Sequence, residues 1–114
     1  MFISLMSNLQ RKLNELKTKL YSISPELRPK TRLHMHNESG IEIDLYGRKA
    51  RDIVREFEEG FPIEIANIEV VKTSHYTVKI TPTQGYKDHH QQKSLEHALS
   101  YLYKKAEDYQ FKKR

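Results

Sequence analysis

The feature that most constrains this chain is a change in its hydrophobic period. Met6, Leu9, Leu13, Leu16 and Leu20 recur at steps of three and four, which lines one side of an α-helix. Ser7 with Gln10 forms a capping box, and Pro25 and Pro29 prevent continuation, so a first helix is expected from about Ser7 to Tyr21. Downstream the period falls to two. Leu33, Met35, Ile41, Ile43 and Leu45 alternate with polar residues over Arg32 to His36 and Ile41 to Tyr46, the pattern of two half-buried strands.

Asn37-Glu-Ser-Gly40 is a turn cluster between those strands. With Gly40 as the left-handed residue of a three-residue loop, Asn37 pairs with Ile41. That register sets His36 opposite Glu42, His34 opposite Asp44 and Arg32 opposite Tyr46, all on the polar face.

The pattern then runs a second time. After Gly47, the stretch from Arg48 to Glu59 carries Ala50, Ile53, Val54 and Phe57 as a helical stripe, closed by Gly60 and Pro62. Ile63, Ile65, Ile68 and Val70 alternate with a slip at Ala66-Asn67, so a strand is expected from about Asn67. Thr73-Ser74 turns the chain into Tyr76, Val78 and Ile80, ended by Pro82. An irregular segment from Pro82 to Gln92 precedes a last helix, capped by Ser94, with Leu95, Ala98, Leu99, Leu102, Ala106 and Tyr109 on its apolar face. The expected fold is α+β in the order α-ββα-ββα, a four-stranded antiparallel sheet with helices packed mainly on one face.

Its 114 residues suit one domain. Residues 1–30 supply the amphipathic helix and a Pro-containing connection, and 31–114 a ββαββα core. With no cysteine, disulfides, thiolate metal sites and a cysteine nucleophile are excluded. The stretch Met1 to Met6 has neither a basic leader nor a long apolar run, so a cytoplasmic location away from membranes is expected. Twenty Lys and Arg against 15 Asp and Glu give a net charge of +5, a bias toward polyanions.

The polar face displays Arg32, His34, His36, Glu42, Asp44, Tyr46, His75, Thr77 and Lys79. An open sheet of this kind can hold phosphates and stack unpaired bases. Arg48, Lys49 and Arg51 start the second helix, where the dipole disfavours cations, so with Tyr46 they are candidates for phosphate contact. Arg32, Lys79, Lys104 and Lys105 complete the candidate set. The expected function is that of a small, basic, non-catalytic nucleic-acid-binding or regulatory protein without cofactor. The alternative is an interaction module that forms a homodimer through Leu9, Leu13, Leu16 and Leu20.

A third reading starts from Leu33-His34-Met35-His36, where period two puts both imidazoles on one side of a strand. With Asp44 across the hairpin, two nitrogens and an oxygen could hold a divalent cation. The element resembles the His-hydrophobic-His motif of the HUH endonucleases, which cut single strands to initiate rolling-circle replication and plasmid or transposon transfer. That resemblance implies a metal that polarises a phosphate for attack by a helical tyrosine, and Tyr101-Leu-Tyr-Lys104 is similar to the family's tyrosine-lysine element. The likeness covers only about eight residues. The strand that precedes the histidines in those enzymes is replaced here by the first helix and a proline-containing connection. His89, His90 and His97 read as polar loop residues. No Gly-x-Ser-x-Gly elbow and no glycine-rich phosphate loop occurs.

Overall fold

A computed structural model describes residues 2–34, 40–83 and 88–112. In chain order these form α1 (Phe2–Ile23), a 3-10 turn (Pro25–Leu27), β1 (Lys30–His34), β2 (Gly40–Leu45), α2 (Ala50–Glu58), β3 (Ala66–Lys72), β4 (Tyr76–Pro82) and α3 (Asp88–Lys112). The architecture is α+β, with one antiparallel sheet of strand order β1-β2-β4-β3. No described helix is long and apolar enough to cross a membrane.

Two helix boundaries differ from the sequence expectation. α1 starts at Phe2, ahead of the Ser7 capping box, and α3 starts at Asp88, so Ser94 is interior to α3 and not its cap. The Ser94 hydroxyl instead donates to the Ile65 carbonyl, which ties α3 to the approach of β3. A serine that finds a tertiary acceptor no longer competes with the helix backbone, which is why it is tolerated there.

The core forms where the periods meet. Leu9, Leu13, Leu16 and Leu20 of α1, Ile53 and Phe57 of α2, and Leu95, Leu99 and Leu102 of α3 join Ile41, Ile43, Leu45, Val78 and Ile80 in one buried cluster. Ile41, Ile43 and Leu45 point inward because the strand period is two, which turns Glu42 and Asp44 outward. The α1 leucines that could serve a dimer seam are between 0% and 1% exposed. They are already used against the chain's own sheet and α3, so a homodimer through these four residues would require opening the core.

Cross-helix contacts give the directions. Asn8 bonds Glu96, Lys12 bonds Ser100 and Lys19 bonds Gln110, so α1 and α3 run side by side in the same sense. Tyr101 reaches Glu59 and Tyr109 reaches Asp52, so α2 runs opposite to α3. The ends of α1 and α3 and the start of α2 therefore gather at one end of the sheet. The start of β1, the end of β2, the start of β4 and the end of β3 lie there too.

Truncating the α1 stripe should open a cavity in the core. Leu13→Ala is expected to cost about 2–5 kcal/mol, read as a lower urea midpoint, whereas Tyr21→Ala, at a position 56% exposed, should change stability by less than about 0.5 kcal/mol.

Candidate functional site

The first hairpin pairs in a different register from the one read off the turn. Lys30 faces Asp44, Arg32 faces Glu42 and His34 faces Gly40, so His34 is not opposite Asp44 and Arg32 is not opposite Tyr46. His36 and Asn37 lie outside the described residues. The slip is even on both strands, so every side chain keeps its face, and hydrophobic alternation is blind to it.

The new register creates a charge network. Arg32 donates to Asp44 through Nη1 at 2.8 Å and Nη2 at 3.2 Å, and to Glu42 through Nε at 2.8 Å. The Thr77 hydroxyl donates to Asp44 Oδ1 at 2.7 Å, and His75 Nε2 lies 3.6 Å from the same oxygen. The Asp44 side chain is only 8% exposed, and these donors are what let a carboxylate sit there. The Arg32 hydrogen bonds hold both carboxyls below their ordinary range, against the opposing effect of burial. Arg32, expected as a phosphate contact, is instead committed to this network.

Across the sheet, Arg32, Glu42, Lys79 and Glu69 form one row of alternating sign. The described residues of this face carry three cations, Lys30, Arg32 and Lys79, against the carboxylates Glu42, Asp44 and Glu69. A row of this kind stabilises strand pairing and offers little net attraction to a phosphate. Lys79 therefore faces carboxylates on both neighbouring strands.

A cluster of free positive charge lies at one end of the sheet. Tyr46 donates its backbone N–H to the Leu27 carbonyl at 2.8 Å, and Gly47, at φ 86°, sits so close to Glu26 that a Cβ would meet its carbonyl oxygen at 2.9 Å. This close approach, which needs glycine, brings the turn after α1 onto the turn before α2. Arg28 and Lys30 thereby reach the Tyr46 ring, at 4.8 Å and 5.6 Å from its centroid, beside Arg48, Lys49 and Arg51. His75 stacks on Tyr46 with centroids 4.4 Å apart and planes 24° apart. Lys72 lies at the same end on the far edge strand, over the Tyr76 ring on the helical face of the sheet.

Arg28, Lys30, Arg48, Lys49, Arg51 and Lys72 are all exposed. Among the described residues none of the six forms an ion pair. The carboxylates of the same turns are Glu26 and Asp52, and Asp52 already accepts from the Tyr109 hydroxyl at 3.5 Å. Sequence reading singled out Tyr46, Arg48, Lys49 and Arg51 but missed Arg28 and Lys30. Their charge was visible around Pro29, though nothing local said that the connection folds back onto Tyr46.

The remaining candidates lie elsewhere. Lys105 pairs with Glu56 at 3.6 Å in the seam between α2 and α3, and Lys104 is exposed on α3. Tyr101 donates its hydroxyl to the Glu59 carbonyl at 2.6 Å and meets Phe61 edge to face. It sits in the helical layer, whereas His34 projects from the polar face of the sheet, 3.7 Å from Glu42. Among the described residues no group of three His, Asp or Glu is placed to hold a metal ion. No protein-family model, curated protein or solved structure matches this chain.

The network carries a pH signature. Carboxyls whose folded values are lowered contribute stability that is complete above about pH 4 and fades as pH falls through the folded values. Arg32→Ala, which leaves the buried Asp44 with Thr77 as its strong donor, is expected to cost about 2–3 kcal/mol at neutral pH. The cost should shrink toward pH 2.5, as urea unfolding at the two pH values will show.

Proposed function

We propose that this is a non-catalytic nucleic-acid-binding protein that takes phosphates on the basic end of its sheet. The observation that carries the reading is the sorting of charge. On the sheet face Arg32 pairs with Glu42 and Asp44 and Lys79 lies between Glu42 and Glu69, while six exposed cations gather at one end with no ion-pair partner among the described residues. Exposed, unpaired Lys and Arg gain most from displacing condensed counterions, because they give up no salt bridge to do so.

On this reading the residues of the site divide their roles. Arg28, Lys30, Arg48, Lys49 and Arg51 are phosphate contacts, with Tyr46 as the ring that holds the first two in place. Ring quadrupole and cation attract at these separations, which limits the side-chain freedom a bound phosphate would otherwise have to remove. Arg32 has a structural role, keeping Asp44 satisfied and the first hairpin in register.

A labelled nucleic acid of about 20 nucleotides per strand, titrated by fluorescence anisotropy across a salt series, tests the reading. Neutralising about four phosphates predicts roughly a hundredfold loss of affinity between about 50 and 200 mM salt. Charge reversal of Arg48, Lys49 and Arg51 together should abolish binding, and Lys104→Glu should leave it near the original value. Binding that ignores salt, or survives the triple reversal, would sink the proposal.

A further inference from the structure

Resting on that reading, we infer that the nucleic acid taken at the basic end is a duplex, held through phosphates of both strands, and that Tyr46 positions cations instead of stacking a base. Single-strand binding on a sheet needs a free aromatic surface. Among the described residues of the polar face, Tyr46 is the sole Tyr, Phe or Trp. Its ring is already bracketed. β2 lies between β4 and β1, so His75 reaches the ring from the β4 side, while Arg28 and Lys30 reach it from the β1 side. A base that stacked there would have to displace either the imidazole or the guanidinium.

The sheet face itself gives an extended strand no path. Glu42, Lys79 and Glu69 are neighbours in one row, so a phosphate backbone crossing the face meets a carboxylate on either side of Lys79 and another beside Arg32. The end of the sheet is different. Lys30 starts the β1 edge on the polar face, whereas Lys72, opposite Tyr76 and in line with Leu45, ends the β3 edge on the helical face. The basic end is therefore broader than one line of cations, which suits the two phosphate rows of a duplex better than the single row of one strand. A duplex also presents one charge per about 1.7 Å of axis, twice the density of one strand. A site that gains only from phosphates therefore prefers the duplex.

Arg28 supports the same conclusion. Its backbone lies in the left-handed region, at φ 40° and ψ 53°, which an L side chain adopts at a cost and glycine does not. The strain sits where the side chain covers one side of Tyr46 and is otherwise exposed. Arg28→Gly suits that backbone, so it removes the cation while leaving the turn able to form.

The deciding experiment compares labelled single-stranded and double-stranded DNA of equal length at one low salt concentration, followed by Arg28→Gly, Tyr46→Phe and Tyr46→Leu. The duplex should bind at least about tenfold tighter than the single strand. Arg28→Gly should weaken duplex binding severalfold with its melting temperature kept. Tyr46→Phe, which keeps the ring, should bind as the original, and Tyr46→Leu should bind more weakly with a shallower salt dependence. The inference is overturned if the single strand binds as tightly as the duplex. It is equally overturned if Tyr46→Leu costs single-strand affinity tenfold or more with an unchanged salt slope, the mark of lost stacking. Failure of both nucleic acids to bind would instead remove the phosphate-binding reading, and this inference with it.

Discussion

The structure depends on burying one face of β2. Ile41, Ile43 and Leu45 are between 0% and 1% exposed beneath the helices, and full burial of such side chains is worth about 1.5–3 kcal/mol each. Once they point inward, the two-residue period leaves Glu42 and Asp44 no choice but the other face. Asp44 is then a nearly buried charge in the middle of a sheet, and it stands only because Arg32 and Thr77 donate to it. The hydrophobic constraint thus creates an electrostatic demand, and the cation that meets it is no longer available to a ligand.

A second consequence follows from the way the helices are laid down. Parallel packing of α1 on α3, and antiparallel packing of α2 on α3, bring three helix ends and the connections between them to one end of the sheet. The tie between Tyr46 and Leu27, with Gly47 against Glu26, then fixes two loops on each other. Five of the six cations clustered at this end belong to those two loops or to the residues flanking them. They are spread across elements distant in sequence, so the patch belongs to the tertiary fold and to no single segment.

How much of this was legible depends on which signal each residue carries. The leucine stripe of α1, the alternation of β2 and the helical stripes of α2 and α3 all follow from burial with a period, and they read correctly because one face of each element is dry. The hairpin register did not read correctly. An even slip preserves the face of every side chain, so the choice between Arg32 facing Tyr46 and Arg32 facing Glu42 rests on ion pairing and loop length, neither of which alternation reports. The start of α3 was misplaced for a related reason, since Ser94 resembles a cap until its hydroxyl finds the Ile65 carbonyl.

The sequence by itself determined the element types, the inward face of each, the absence of cysteine chemistry and the excess of positive charge, because these depend on residue identity and local spacing. Only the tertiary structure decided which cations are free. Arg32, Lys79 and Lys105 face carboxylates supplied by other elements, whereas Arg28 and Lys30 are carried to Tyr46 by a loop contact between segments about 20 residues apart. The physical reason is that a charge acts over a few ångströms of space. Its partner is set by packing, and neighbouring letters in the chain do not reveal it.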